Sequence, residues 1–117
     1  MDTLEVVTAA EISVQELAAL GPSARIVDVR EPVEWAQGHI GHASLVPLAT
    51  VPGNVAAFDG EPTYVVCRSG NRSGQACEFL RAQGHSVVNV TGGMLAWAAA
   101  GLEVVTGADS GASGASR

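Results

Sequence analysis

Chemistry concentrates in one stretch of the chain, Cys67-Arg-Ser-Gly-Asn-Arg-Ser73. A cysteine attacks only as its thiolate, and thiolates form where backbone amides, a helix N-terminus or arginines surround the sulfur. Ser69, Gly70 and Asn71 are turn formers that leave N–H groups free. If this loop curls over Cys67, its amides converge on the sulfur as an anion nest with a thiol at its floor. The two arginines extend the idea. Arg72, closing a C-x4-R spacing, has a planar fork suited to an oxyanion or to shaping the loop, the alternative being a surface ion pair with Glu78. Arg68 either helps hold an anion or faces solvent. Cys77, further along, reads as a core residue.

Such a loop needs a strand before it and a helix after it. Thr63-Tyr-Val-Val-Cys67, bounded by Pro62, reads as a buried strand, and Ser73 to Gln83 as an amphipathic helix with Ala76, Cys77, Phe79 and Leu80 on its apolar face. Upstream, Ser13-Val-Gln-Glu16 is a capping box opening a helix that Gly21-Pro22 stops. Arg25 to Val29 and Ser44 to Val46 read as strands, with Pro32 starting a helix between them and Asn54 to Phe58 forming a short helix after them. Ser86 to Val90 is a further strand, and Met94 to Ala100 a helix ended by Gly101. Alternating strands and helices give an α/β domain with a mainly parallel sheet, in which Val27, Val29, Val65, Val66, Val88 and Val90 are expected to be buried. The strand ends then place Asp28, Arg30 and the Cys67 loop at the carboxyl edge, where ligands bind in such sheets. Arg30 and Glu34, four residues apart, read as an ion pair at a helix start. His39 and His42 read as structural, His85 as exposed, and Trp35 and Trp97 as core. The Gly/Ala/Ser-rich segment 106–117 has almost no bulky apolar side chain, so the domain is expected to span 1–105 and the tail to stay unstructured.

The loop resembles the active-site loop of the rhodanese-like sulfurtransferases, with Cys67 at the position of the family's persulfide-carrying cysteine. Asp28-Val-Arg30-Glu31, Glu34-Trp35 and Gly38-His39-Ile40 resemble its upstream motif, and Gly92-Gly93 with Ala96-Trp97 its downstream one. Gly41-His42-Ala43 departs from it, standing where Pro-Gly-Ala is usual. The resemblance implies a three-layer domain whose central parallel sheet is flanked by helices. It implies a single-domain sulfurtransferase that carries a sulfane sulfur from thiosulfate or a related small anion, as a Cys67 persulfide, to cyanide, a thiol or a dithiol protein. Arg68, Ser69, Gly70, Asn71, Arg72 and Ser73 would hold the donor or shape the loop. Asp28 would bond the loop from the neighbouring strand, or else cap the following turn. No cofactor or metal is implied.

Composition narrows the alternatives. The chain has 117 residues and a net charge of -6, and all six basic residues are arginines. Such a body repels nucleic acid and acidic lipid headgroups. Without lysine, Schiff-base chemistry and a Walker phosphate loop are excluded. Two cysteines do not make a disulfide scaffold, and neither a signal peptide nor a membrane span is visible, so the expected setting is cytoplasmic. Two rival functions share the loop. A phosphatase of this family has one more residue, C-x5-R, to hold a tetrahedral phosphate, whereas arsenate reduction is compatible with the chemistry. A non-catalytic binding module often lacks the cysteine.

Overall fold

The computed structural model describes residues 10–108. In chain order these form β1 (Glu11–Ile12), α1 (Val14–Leu20), β2 (Ile26–Asp28), α2 (Pro32–Gln37) and β3 (Ser44–Leu45). A 3-10 segment (Leu48–Phe58) follows, then β4 (Thr63–Val66), α3 (Asn71–Ala82), β5 (Val87–Val90) and α4 (Gly93–Ala99). The strands make one sheet in the order β1-β5-β4-β2-β3. Every pairing is parallel, so all carboxyl ends lie along one edge.

Successive side chains of a strand point to opposite faces, and the core divides accordingly. Ile26, Val66 and Val90 join Val14, Leu17, Trp35, Ile40, Met94 and Trp97 on the face covered by α1, α2 and α4. Val27, Val65 and Val87 join Val51, Phe58, Ala76, Cys77 and Leu80 on the face covered by α3 and the 3-10 segment. Cys67 extends the Val65 row of that second face. Asn89 stands beside Val65 in the β4–β5 register, and neighbouring residues of paired strands share a face.

The turn and cap signals hold locally. Ser13 Oγ accepts the Glu16 N–H at 3.0 Å while Ser13 N–H donates to Glu16 Oε1 at 3.0 Å, which closes the capping box. Pro32 opens α2 as expected, and the Glu31 N–H donates to Glu34 Oε1 at 2.9 Å. Several expectations change. The helix after the loop starts at Asn71, two residues before Ser73, because Gly70 makes the turn in the left-handed region and the chain is helical at once. Phe79 is exposed, so the apolar face of α3 is narrower than its composition implies. Val88 is only half-buried, since β1 begins beside Asn89 and leaves that side of the strand open among the described residues. His85 is half-buried, its Nδ1 lying 3.3 Å from both Phe58 O and Asp59 Oδ1. The 3-10 segment is longer than the Asn54 to Phe58 helix read from sequence, and β1 carried no readable pattern. Past Val105, the Gly107 N–H donates to Ala36 O at 2.9 Å; residues 109–117 of the expected tail lie outside the described residues.

Candidate active site

β4 ends at Val66, and Cys67 follows it, 1% exposed. The chain then has to reverse and start α3 within three residues. Gly70 does this at φ 109, a conformation that side chains resist, and its N–H swings back to donate to Cys67 Sγ at 3.1 Å. The early start of α3 puts Ser73 in its first turn, fully buried, with Oγ 3.3 Å from the same sulfur. A serine hydroxyl and a backbone amide thus meet on one sulfur atom.

The other side of the loop is held by α4. The Met94 N–H donates to Cys67 O at 2.9 Å and the Leu95 N–H to Arg68 O at 3.0 Å, so helix-start amides that have no partner within α4 are satisfied by loop carbonyls. With its carbonyls drawn outward, the loop presents N–H groups to the sulfur. Gly93 makes this docking possible. A Cβ there would fall inside contact distance of the Cys67 and Arg68 carbonyl oxygens, and its φ is 56.

The electrostatic result differs for the two cysteines. Burial by itself pushes the Cys67 thiol up, but the Ser73 hydroxyl, followed by the amides of Ser73, Gly70 and Ser69, outweighs it and brings the pKa below the ordinary thiol value. At Cys77 burial dominates, the Arg81 charge offsetting only part of it, and pushes the thiol up to about 11. Cys77 is therefore a protonated core residue, and both cysteines are free of disulfides.

The arginines and acids pair differently from the sequence expectation. Asp28 does not reach the loop. Its oxygens accept the Arg30 N–H at 3.0 Å and the Arg30 guanidinium at 2.8 to 3.1 Å, and Arg30 also donates to Gly38 O at 2.7 Å. The Arg30 partner is thus Asp28 and not Glu34, and the buried pair fixes the turn between β2 and α2. Glu34 is left for Arg72: both guanidinium Nη atoms sit 2.8 Å from its two carboxylate oxygens. Neither a Glu78 pair nor a free oxyanion fork is formed, and Arg72 instead ties the start of α3 to α2. Arg68 is exposed and, among the described arginines, alone has no side-chain hydrogen bond or ion pair. It lines a cleft of about 230 Å³ with Arg30, Glu34, Met94, Leu95 and Val104. Ser69 and Asn71 are exposed at the outer turn of the loop.

His39 and both tryptophans are packed or hydrogen-bonded within the fold. His39 is buried, stacked on Trp35 with ring centroids 3.6 Å apart, and its Nδ1 lies 2.8 Å from Trp35 O. His42 is exposed. Trp97 Nε1 donates to Glu103 O at 2.8 Å.

The Arg72–Glu34 clamp yields a pH-dependent prediction. The Arg72 hydrogen bonds hold the Glu34 carboxyl down to about 2, against a free value of about 4.3. A carboxyl lowered by folding stabilises the native state above its unfolded pKa, and loses that contribution as pH falls through the folded one. The Tm gap between wild type and Glu34→Gln is therefore expected to be full above about pH 4.3 and to close by about pH 2. An acid-series melting experiment measures it, and a gap independent of pH would contradict the clamp.

The family model described as Rhodanese-like domain matches residues 13–100. The chain belongs to the rhodanese-like domain family. As a rhodanese-like domain it is 43% identical over 82 residues to a protein of Allochromatium vinosum named sulfurtransferase, covering 68% of this chain and 77% of that one. It is 38% identical over 85 residues to the thiosulfate sulfurtransferase GlpE of Pseudomonas entomophila, covering 71% of this chain and 78% of the relative. Against a Synechocystis protein 42% identical over 82 residues, 68% of this chain matches but only 46% of that protein's length. Among solved structures, a rhodanese-like domain protein of Staphylococcus aureus superposes with a TM-score of 0.73 at 43% identity, covering 82% of this chain and 98% of that one. The all-parallel sheet between helical layers is the fold of this family.

Within this rhodanese-like domain, two residues whose side chains hydrogen-bond the loop, Glu34 and Asn89, are not legible as site residues from the sequence. Sequence proximity pairs Glu34 with Arg30, four residues away. Asn89 lies in a valine-rich strand and belongs to no motif, yet its Nδ2 donates to Gly70 O at 3.2 Å and its Oδ1 accepts the Ser73 hydroxyl at 2.6 Å. Its signal was a polar residue alternating with valines at the carboxyl end of a strand.

Proposed function

We propose that this rhodanese-like domain is a sulfurtransferase that carries a sulfane sulfur as a persulfide on Cys67. The observation that carries the reading is the pair of donors on Cys67 Sγ, the Gly70 amide at 3.1 Å and the Ser73 hydroxyl at 3.3 Å. In the first step the thiolate attacks the outer sulfur of thiosulfate. A new S–S bond forms, the old one breaks, and sulfite leaves with its electron pair. In the second step an acceptor such as cyanide, a thiolate or a dithiol protein attacks the outer sulfur of the persulfide, and Cys67 departs as thiolate. Both departing and resting states place negative charge where the loop amides point, so fixed dipoles serve each half of the cycle. These two steps balance without a resident metal or organic cofactor.

Arg68 is the residue assigned to the donor. Thiosulfate is a dianion and the protein is acidic, so a free guanidinium beside the loop is the local attraction, whereas Arg72 is engaged by Glu34. That engagement also counts against the phosphatase reading, which needs the terminal arginine free. The named relatives support sulfur transfer, and the GlpE name supports thiosulfate as donor.

Steady-state transfer from thiosulfate to cyanide tests the assignment. Arg68→Ala is expected to raise the thiosulfate KM about ten-fold or more, the scale of one charged contact, with a smaller change in kcat. Its iodoacetamide pH–rate midpoint should match wild type, because the groups that lower the Cys67 pKa are Ser73, Gly70 and Ser69 and not the Arg68 side chain. A KM unchanged by Arg68→Ala and raised by Arg72→Ala would transfer the donor role to Arg72.

A further inference from the structure

Ser73 has one hydroxyl proton and two acceptors, Asn89 Oδ1 at 2.6 Å and Cys67 Sγ at 3.3 Å. All three groups lie on the face of the sheet covered by α3, and the Ser73 side chain has no access to water that could supply a further donor. The Asn89 amide is not turned the other way round, since its oxygen would then face Gly70 O across 3.2 Å, two acceptors with no proton between them. Asn89 Oδ1 therefore competes with the sulfur for the Ser73 proton.

We infer that Asn89 is a positioning residue that controls Cys67 through Ser73: Oδ1 holds the hydroxyl proton while the sulfur is neutral and yields it when the sulfur is anionic. With Cys67 as a thiol, the S–H donates to Ser73 Oγ and the Ser73 proton stays on Asn89, so every partner is satisfied. When Cys67 loses its proton to solvent, the thiolate accepts only, and the Ser73 hydroxyl rotates toward it. The short bond to Asn89 is lost in that rotation. Asn89 thus tempers a sulfur that the amides would otherwise ionise more readily. A less basic thiolate is a weaker nucleophile, so the competition preserves reactivity at a given degree of ionisation.

The ionisable groups on the surrounding elements do not account for such a hand-over. They are Arg68 in the loop, Arg72, Cys77, Glu78 and Arg81 on α3, Glu11 on β1, which with Glu78 and Arg81 lines the cavity beside Asn89, Glu34 on α2 and the Asp28–Arg30 pair at the end of β2; β5 and α4 contribute none. None of them hydrogen-bonds Ser73 or Asn89. The role concerns the same Cys67 thiolate on which the sulfur-transfer reading rests. It is read by alkylation with no sulfur donor present, so its failure is distinguishable from failure of transfer.

The test is the iodoacetamide pH–rate midpoint of Cys67 in a Cys77→Ser background, with and without Asn89→Leu and Ser73→Ala. Leucine matches asparagine in size, and Gly70 O keeps the Gly74 N–H at 3.1 Å, so the loop retains an anchor. Asn89→Leu is expected to lower the midpoint by about half a unit to one unit, the scale of one hydrogen bond. In Ser73→Ala, where no proton is shared, the same substitution should shift nothing. A midpoint that rises or stays fixed in Asn89→Leu, or that shifts equally in Ser73→Ala, would overturn the proposal. If Asn89→Leu does not fold, wild type decides: the Asn89 side-chain carbonyl 13C resonance should titrate with the Cys67 midpoint and cease to do so in Ser73→Ala. A resonance that does not move across that midpoint would equally overturn it.

Discussion

Cys67→Ser is expected to lose transfer from thiosulfate to cyanide by on the order of a thousand-fold or more while keeping its fold. Serine fits the same space, and its oxygen can accept the Gly70 amide that now lies 3.1 Å from sulfur. What it lacks is an ionisable, polarisable atom able to form and break a bond to sulfur. The comparison with Cys77→Ser shows whether this loss is local. That substitution buries a hydroxyl among Val65, Ala76 and Leu80, so it should cost about 1–3 kcal/mol of stability yet leave turnover within a few-fold of wild type. Steady-state kinetics with thermal melts separates the two effects. Residual wild-type turnover in Cys67→Ser would place the reacting group elsewhere.

Gly93→Ala is the substitution expected to do most harm outside the sulfur itself. The added methyl would meet the Cys67 and Arg68 carbonyl oxygens, which belong to the backbone of the loop and cannot rotate away as a side chain would. The helix start would have to move off the loop, taking with it the Met94 and Leu95 amides. Strain at positive φ adds to this, for a total of about 2 kcal/mol or more and a Tm lower by about 10 °C. Cys67 alkylation near neutral pH should fall about ten-fold as the nest opens. Gly101→Ala provides the control, since φ is 76 there but nothing lies within 4 Å of the added carbon. It should cost the backbone strain alone, about 1 kcal/mol, with alkylation unchanged. Equal effects at the two glycines would show that the docking of α4 on the loop contributes nothing.

The contrast between what sequence reveals and what it conceals follows from distance along the chain. The loop was legible because its parts are contiguous: strand residues, a cysteine, turn formers and a helix face occupy Thr63 to Gln83 in order. The Ser13 box and the Pro32 helix start were legible for the same reason. Ion pairs were not. Arg30 and Glu34 are four apart, but Arg30 precedes the first turn of α2, so its side chain turns back to Asp28 and Glu34 is free to take Arg72 from 38 residues away. Arg72 is consequently held by Glu34, while the Arg68 side chain has no hydrogen bond or ion pair among the described residues. Asn89 illustrates a second limit, because a role that depends on the register of β5 beside β4 leaves no trace in spacing. Phe79 marks a third: helical periodicity locates an apolar face but not how wide a partner surface covers it.

The central claim is that Cys67 carries the sulfur. Reduced protein incubated with thiosulfate, freed of excess donor and weighed by intact-mass spectrometry, tests it most directly. A gain of one sulfur atom is expected, mapping to the peptide containing Cys67, absent in Cys67→Ser, present in Cys77→Ser and removed by cyanide or a dithiol. No mass gain from thiosulfate, 3-mercaptopyruvate or glutathione persulfide, or a gain that maps to Cys77, would contradict the account.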